Sequence, residues 1–313
     1  MSTTTVRTGR SAGKETTGKS AKASARRSEL WVALVFVAPA LVGFVVFYLI
    51  PTIQGFYFSM TQYNLLGTPK WIGFDNFARI SRDPLFYNAM WVTIEYVILN
   101  IAFQTVIALV LAALMQRLVQ STVMRGALLL PWLISNVIAA LLWFWLLDYQ
   151  IGIINMAIEG LGLPKVAFFA DEFWAIPTMA FVNVWRHMGY TALLVYAGMQ
   201  TIPKYIYEAA AIDGSTEWRS FWRMTIPLLR PVLAMILVIT VTGSFQIFDT
   251  VAVTTRGGPV NVTRVMQYYI VQKAFGEGQF GYGSALAVIL FIILAVLAAV
   301  QLRLLRAGES DLA

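Results

Sequence analysis

Residues 201–231 read TIPKYIYEAAAIDGSTEWRSFWRMTIPLLRP, a polar and charged segment that joins two long apolar stretches. The flanking stretches, residues 175–199 and 231–251, are each long enough to cross a hydrocarbon core of about 30 Å as an α-helix. Inside the segment, the placing of Pro203 and Gly214 predicts two short helices joined by a turn, with Pro227 and Pro231 ending the second helix. This stretch is therefore predicted to be a structured loop between two membrane-spanning helices.

Capping signals define the ends of these two short helices. Thr201 is predicted to cap the first helix, and Gly214 stands just past its end, where a left-handed backbone conformation is common. Ser215 or Thr216 is predicted to cap the second helix, with Glu217 close to its positive N-terminus.

Working outward from this loop, the sequence contains six apolar segments of membrane-spanning length. They are residues 30–50, 90–114, 127–147, 175–199, 231–251 and 282–302. The whole chain is 58% hydrophobic and 12% charged, whereas soluble domains average roughly 25% charged residues. The predicted fold class is therefore an all-α membrane protein with six transmembrane helices.

Basic residues are distributed unevenly between the two sides of such a six-helix chain. Fifteen of the 23 Lys and Arg residues lie on the side of the termini and the loop 200–231, and seven lie on the other side. Basic residues concentrate on the cytoplasmic side of membrane proteins, so both termini and this loop are predicted to be cytoplasmic.

The domain boundaries follow from the same pattern. Residues 1–29 are predicted to be a disordered basic cytoplasmic tail, because they are rich in Ser, Thr, Ala and Gly and carry few apolar residues. Residues 30–306 form the transmembrane domain, and residues 307–313 form a short cytoplasmic C-terminal tail. Since much of the net charge of +7 lies in the N-terminal tail beside the membrane, it does not indicate nucleic-acid binding.

The first helix of the loop carries residues suited to docking another protein. Ala209 and Ala210 have small side chains that allow a partner backbone to approach closely, and Glu208 and Asp213 offer carboxylates to a basic partner. The alternative is an amphipathic surface helix whose alanines only favour helix formation.

Three motifs resemble those of one known family, and together they cover most of the chain from about residue 30. One is a Glu-Ala-Ala then Gly spacing followed by Ile-Pro, at Glu208, Ala209, Ala210, Gly214, Ile226 and Pro227. The others are Gly-Gly-Pro-x-x-x-Thr at residues 257–263 and WIGFDNF at residues 71–77, followed by Asp83. These motifs resemble those of ABC importer permeases, which are also called binding-protein-dependent transport system inner membrane components. They are typical of the maltose and glycerol-3-phosphate branch of that family.

The resemblance implies a fold, a role and a set of partners. It implies a type I importer permease domain over residues 30–306, whose coupling loop 200–231 sits in a cleft on a cytoplasmic ATPase, with Glu208 facing that ATPase. It also implies that ATP and Mg are used by the ATPase and that this chain binds no cofactor. The implied partners are a second related permease, two ATPase copies, an external solute-binding protein and membrane lipid, in a bacterial or archaeal plasma membrane. A heterodimer of permeases is favoured, and a homodimer is left open.

Few ionisable residues lie inside the six apolar segments, and Arg186 is the most demanding of them. A charge at its depth costs at least a few kcal/mol, so a compensating group is expected, with Glu95 and Asp249 as the acidic candidates. One hypothesis places a polar translocation path at Trp185, Arg186, Gln246, Asp249, Glu95 and Asn100. The alternative is an ion pair that only holds helices together.

The sequence contains no motif typical of an enzyme. HExxH, GxSxG and Walker-type phosphate loops are absent, and the chain has no Cys and a single His. The predicted function is therefore a non-catalytic permease of an ATP-driven importer for a sugar or related polar solute. The alternatives are an ion-coupled secondary transporter, which favours discontinuous helices and an internal repeat, and a membrane scaffold that transports nothing.

Overall fold

The structure of the chain, a computed structural model, describes residues 33–117 and 121–304. The chain divides into two units between Tyr57 and Phe58. Within the described ranges the only strands are a short antiparallel pair, β1 (Thr61–Gln62) and β2 (Lys70–Trp71), and nearly all else is helix or turn. The all-α prediction is confirmed at this level, and the tails predicted at residues 1–29 and 307–313 lie outside the described residues.

The first unit contains most of helix α1 (Ala33–Ser59), which is longer than the predicted segment 30–50. A wider π-helical turn occupies Val45–Leu49 and ends two residues before Pro51. Proline cannot donate a backbone hydrogen bond and its ring clashes with the preceding turn, and a π turn accommodates both effects. Side chains of α1 up to Tyr57 are almost all exposed in this chain, as expected for a helix that faces lipid or another subunit.

The second unit contains the remaining helices. In chain order they are α2 (Asp75–Ile80), α3 (Pro84–Arg117), α4 (Thr122–Leu128), α5 (Leu130–Leu133), α6 (Asn136–Leu146), α7 (Ile153–Gly160), α8 (Ala175–Gln200), α9 (Lys204–Ile212), α10 (Glu217–Ser220), α11 (Ile226–Leu228), α12 (Arg230–Phe245), α13 (Asp249–Val253), α14 (Met266–Val271) and α15 (Phe280–Leu304). Two π turns, Phe221–Thr225 and Gln272–Gly276, follow α10 and α14.

Four helical segments of the described residues are long and apolar enough to cross a membrane: Ala33–Ser59, Pro84–Arg117, Arg230–Val253 and Phe280–Arg303. The predicted fourth span is the 26-residue helix α8, which is long enough but less apolar. The predicted third span, 127–147, is divided into α4, α5 and α6. Extended backbone at Ile134 (ψ 138°) and Ser135 (ψ 144°) interrupts it, so its carbonyl groups lose their helical partners there.

Helix α3 packs mainly through one stripe of buried residues along its length. These residues recur every three or four positions: Ala89, Val92, Thr93, Tyr96, Val97, Asn100, Gln104, Ala108, Ala112 and Met115. This spacing places them on one face of a helix, and the face packs principally against α8. Asn100 and Gln104 place two amide side chains within this mainly apolar stripe. The polar site described below lies at these two residues.

Small residues allow helices of the second unit to approach closely. A Cβ atom added at Gly189 of α8 would lie 1.8 Å from the carbonyl oxygen of Leu128 at the end of α4. Likewise, a Cβ at Gly281 of α15 would lie 2.0 Å from the carbonyl oxygen of Thr61. Both separations are far below van der Waals contact, so these two positions require glycine.

Candidate functional site

The loop 200–231 forms two short helices, as predicted, but its first cap differs from the prediction. Thr201 is the C-terminal cap of α8, where its Oγ1 donates to the Gly198 carbonyl at 2.8 Å. Pro203, with φ −62° and ψ 137°, precedes the first residue of α9. The prediction that Thr201 caps α9 is therefore wrong, because the proline ring fixes the extended backbone that a helix start needs without a side-chain acceptor.

Gly214 ends α9 in the left-handed conformation that the sequence predicts, with φ +73°. The backbone N–H of Ser215 donates to the Ala210 carbonyl at 2.9 Å, and that of Gly214 donates to the Ala211 carbonyl at 3.1 Å. This pair of bonds is a Schellman motif, which satisfies carbonyl groups that a helix end would otherwise leave unpaired. The turn that sets the angle between α9 and α10 thus depends on one glycine.

The second short helix begins at a side-chain cap. The Thr216 hydroxyl accepts from the Arg219 backbone N–H at 3.3 Å, and Glu217 lies in the first turn. Pro227 does not end this helix as predicted, because the π turn Phe221–Thr225 absorbs its missing donor and the chain continues helically into α11 and α12. Glu217 also forms a salt bridge with Arg117 at the end of α3.

The docking residues proposed from the sequence lie mostly at the surface. Glu208, Ala209, Asp213 and Gly214 are exposed, whereas Ala210 is buried. Large apolar side chains accompany them at the surface, at Tyr205, Ile212, Trp218 and Trp222. Ile212 is 88% exposed, which is costly for an isolated chain in water and typical of a surface that another protein covers. Ile226 and Pro227 are half-buried at the base of the loop.

A polar cavity of about 320 Å³ lies among α3, α6, α8, α12 and α13. Its lining is Asn100, Gln104, Asn136, Asn183, His187, Tyr190, Thr191, Leu194, Ile236, Ile239, Thr240, Gly243, Ser244, Gln246, Ile247, Phe248, Asp249 and Thr250. The predicted fifth span, 231–251, is interrupted beside it, since α12 ends at Phe245 and α13 begins at Asp249. Amide and hydroxyl groups therefore face a space inside a set of otherwise apolar helices.

Asn100 is the centre of the hydrogen-bond network behind this lining. Its Nδ2 donates to Ser244 Oγ at 2.8 Å and to Gln104 Oε1 at 3.2 Å, and its Oδ1 accepts from Asn183 Nδ2 at 2.8 Å. Gln104 in turn donates to Thr191 Oγ1 at 2.8 Å. Three helices, α3, α8 and α12, are thereby joined by polar contacts, and each such contact contributes up to about 1–2 kcal/mol between membrane helices.

Arg186 bonds to backbone carbonyls where a carboxylate was expected. Its Nε donates to the Ile134 carbonyl at 2.8 Å and its Nη2 to the Trp132 carbonyl at 3.1 Å. Both acceptors lie at the interruption between α5 and α6, where helical partners are lacking. No direct ion pair joins Arg186 to Glu95 or Asp249 among the described contacts, so the interrupted helix supplies the main compensation for this charge.

Of the other path residues proposed from the sequence, three line the cavity and two do not. Asn100, Gln246 and Asp249 line it. Glu95 is exposed on the opposite side of α3, and Trp185 packs edge-on against Trp143 with ring centres 5.4 Å apart. The structure therefore brings together half of the six residues that the sequence grouped, without Arg186, Glu95 and Trp185.

Some lining residues were not singled out from the sequence, notably Asn136, Asn183 and Thr191. Asn136 begins α6 and its Nδ2 donates to Asp249 Oδ2 at 3.0 Å. The signal that could have found them is simple: each is a polar side chain within a predicted apolar span, at a depth where lipid offers it no partner.

Asp83, which follows the WIGFDNF motif, connects segments on the side of the chain opposite the loop 200–231. Its carboxylate accepts hydrogen bonds from the hydroxyls of Tyr269 and Tyr282 and from the Leu85 backbone N–H. Partial burial raises the pKa of this carboxyl group, but the hydrogen bonds outweigh burial and hold the pKa below its usual value. Asp83 thus ties the start of α3 to α14 and α15 as an ionised group.

The chain matches a family model and many known proteins. The family described as binding-protein-dependent transport system inner membrane component matches residues 104–308. A sulfoquinovosyl glycerol transport system permease protein, SmoG, of Agrobacterium fabrum is 32% identical over 89% of this chain and 91% of its own length. A probable ABC transporter permease protein, YurN, of Bacillus subtilis is 30% identical over 90% of this chain and 98% of its own.

The fold also matches a solved structure. A bacterial ABC transporter involved in the import of the acidic polysaccharide alginate contains a chain that superposes with a TM-score of 0.79, at 22% sequence identity. The match covers 92% of this chain and 99% of the other.

Proposed function

The chain belongs to the family of inner membrane components of binding-protein-dependent transport systems, and on that premise we propose that it forms half of the translocation path of an ATP-driven importer for a carbohydrate or related polar solute. Members of this family are non-catalytic permeases, and ATP hydrolysis belongs to a separate subunit. Interrupted helices at two spans would also suit an ion-coupled secondary transporter, but the family supports the ATP-driven importer and not that alternative.

The polar cavity is the observation that carries this proposal. Amides and hydroxyls that both donate and accept hydrogen bonds match the hydroxyl groups of a carbohydrate, and the rings of Tyr190 and Phe248 add aromatic surface to the lining. The named solutes of the relatives, sulfoquinovosyl glycerol and alginate, are carbohydrates or their derivatives and support the same solute class.

The exposed loop supplies the second half of the proposed mechanism. Glu208, Ala209, Ala210, Asp213 and Gly214 form the contact with the ATPase, and Ile226 and Pro227 connect that contact to α12. When ATP closes the ATPase dimer, α9 and α10 move with it, and the motion reaches the cavity through the continuous path from α10 to α12. ATP and Mg bind the ATPase, and this chain binds neither.

The chain is a multi-pass membrane protein, and the proposed topology gives it six crossings with both termini in the cytoplasm. The third crossing is the α4 to α6 region and the fifth is α12 with α13. Residues 1–29 and 307–313 form the cytoplasmic tails of a domain that spans residues 30–306. The asymmetry of Lys and Arg between the two sides supports this orientation.

The proposed assembly contains this chain, a second related permease, two copies of a cytoplasmic ATPase and an external solute-binding protein. The family description itself names dependence on a binding protein. Proteoliposomes with this assembly and enclosed ATP are expected to take up a labelled carbohydrate only when the binding protein is outside. Uptake that follows an ion gradient and ignores ATP would overturn the proposal, and an empty-vesicle control would measure leakage.

A further inference from the structure

The cavity lining carries an unbalanced charge. Among the described residues that line it, Asp249 is the single carboxylate, and neither Lys nor Arg is present. The remaining polar groups are amides, hydroxyls and the His187 imidazole. A solute inside this chain's half of the path therefore meets one fixed negative charge.

Arg186 directly precedes the lining residue His187 in sequence, but its guanidinium points away from the cavity. Its guanidinium donates to the Ile134 and Trp132 carbonyls, and its Nη1 lies 2.9 Å from His187 Nε2. Arg186 is not part of the lining, although Asp249 acts on it through space. Two carbonyl oxygens and the imidazole thus take three of its five N–H donors, and its charge reaches Asp249 only from outside the lining.

His187 is held in its uncharged form by its two partners. Its Nδ1 lies 2.9 Å from the Asn183 carbonyl oxygen, which can only accept, so Nδ1 carries the proton. Its Nε2 faces the Arg186 guanidinium, which can only donate, so Nε2 accepts and carries no proton. The lining therefore has no cation to balance Asp249.

Asp249 keeps its position through the two interrupted helices. It is the first residue of α13, and its Oδ2 accepts from Nδ2 of Asn136, the first residue of α6. The carboxylate is only partly buried, so it faces whatever enters the cavity.

We infer that Asp249 makes this cavity selective for uncharged or cationic carbohydrates and excludes anionic ones such as uronates and sugar phosphates. The inference rests on the proposed function, which puts the cavity on the solute path. An ionised carboxylate accepts hydrogen bonds from sugar hydroxyls and repels a second anion in a region where charges are weakly screened. The two solutes named for similar proteins, sulfoquinovosyl glycerol and alginate, are both anionic, so those names do not support this choice, and the inference rests on the residues of this chain.

A cysteine reporter tests the charge of the cavity without knowledge of the solute. The chain has no native cysteine, and Gly243 lines the cavity with no atom within 4 Å of an added Cβ. Gly243→Cys in the reconstituted complex is treated with trimethylammonium-ethyl methanethiosulfonate or sulfonatoethyl methanethiosulfonate, which are cationic and anionic. Mass spectrometry of this chain follows each rate, and each rate is divided by that of a small free thiol.

We expect the cationic reagent to exceed the anionic one at least about tenfold, as a unit charge within about 10 Å would give at an effective dielectric constant near 20. Asp249→Asn in the reporter background should lower this ratio by a similar factor, Asp249→Glu should keep it, and Asp148→Asn, outside the cavity, should leave it unchanged. Any effect of Asp249 on ionisation of the thiol cancels in the ratio.

Two results would overturn the inference. One is equal or faster reaction of the anionic reagent, which would assign the field to Arg186 or to the partner permease. The other is a ratio that Asp249→Asn does not change although the complex assembles. Neither result depends on ATP-driven uptake, so failure of this inference and failure of the proposed function are distinguishable.

Discussion

Replacing Gly214 is expected to uncouple ATP hydrolysis from solute uptake. At φ +73° the backbone strain of an L-residue costs about 1–2 kcal/mol, and a β-branched residue lies at the upper end of this range. An added Cβ meets no atom within 4 Å, so the entire cost lies in the backbone and none in a clash. Gly214→Val therefore isolates the conformation of the turn from its surroundings.

The strain can be compared with what holds the turn closed. The Schellman bonds from Ser215 and Gly214, at 2.9 and 3.1 Å, contribute a net free energy of about 1 kcal/mol each. Strain of about 1–2 kcal/mol offsets most of this stabilisation. The ratio of the native turn to other turn conformations therefore falls by roughly tenfold. We expect uptake per ATP hydrolysed to fall by about the same factor, while Glu208 stays in place and the ATPase still binds.

The assay measures ATP hydrolysis and solute uptake in the same proteoliposomes. Gly214→Asn is the matched variant, because Asn adopts positive φ several times more readily than other non-glycine residues, and it is expected to retain most coupling. Lys165→Ala, which removes a salt bridge to Glu159 on the other side of the chain, controls for non-specific loss. Wild-type coupling in Gly214→Val, or equal loss in the Asn and Val variants, would refute the reasoning.

Three further changes have defined outcomes. Arg186→Leu leaves the Trp132 and Ile134 carbonyls without their donor, which costs about 1–3 kcal/mol for each carbonyl. If Arg186 acts on the translocation path, solute uptake falls more than assembly of the complex. Loss of assembly, with normal uptake by the complex that still forms, would show a purely structural role. On the proposed contact, Glu208→Lys would put a cation where the ATPase surface accepts a carboxylate, so we expect ATPase binding to weaken by about 2–5 kcal/mol. Co-purification measures this, and unchanged binding would contradict the proposed contact. Since the pKa of Asp83 is lowered, its stabilisation is present above the unfolded pKa near 3.9 and is lost as pH falls through the lower folded pKa. Thermal unfolding of wild type and Asp83→Asn in detergent should therefore differ at neutral pH, begin to converge as the pH falls below about 4, and meet only below the folded pKa; a constant difference would contradict the assignment.

Local rules predicted the parts of the structure that depend on a few adjacent residues. The left-handed Gly214 and the Thr216 cap follow from spacing, because caps satisfy backbone groups within one turn. The start of α9 was missed for a related reason, since Pro203 alone supplied the required backbone angle. The apolar length of α3 and α15 likewise predicted both helices.

Contacts between distant segments were beyond such rules. Residues 127–147 are apolar except for Ser135 and Asn136, and the interruption at Ile134 is matched by donors from Arg186, which stands 52 positions later. An apolar pattern predicts where a helix is favourable. It does not show that a side chain of another helix donates hydrogen bonds to carbonyl groups where the helix is interrupted. For the same reason the sequence proposed carboxylates as partners of Arg186, and it grouped Glu95 with the cavity although the face of α3 carrying Glu95 points away.

The close contact between Gly189 and Leu128 has a mechanical consequence. With the Leu128 carbonyl oxygen 1.8 Å from where a Cβ would stand, the backbones of α4 and α8 touch, and neither can rotate towards the other. Deformation in this part of the chain is then concentrated at Ile134 and Ser135, where the helical hydrogen-bond ladder between α5 and α6 is broken and the Ile134 carbonyl is held by Arg186 instead. When the subunit changes shape, we expect α4 and α8 to move together, and α6, which carries Asn136 at its first position, to bend relative to them at the joint that Arg186 ties to α8.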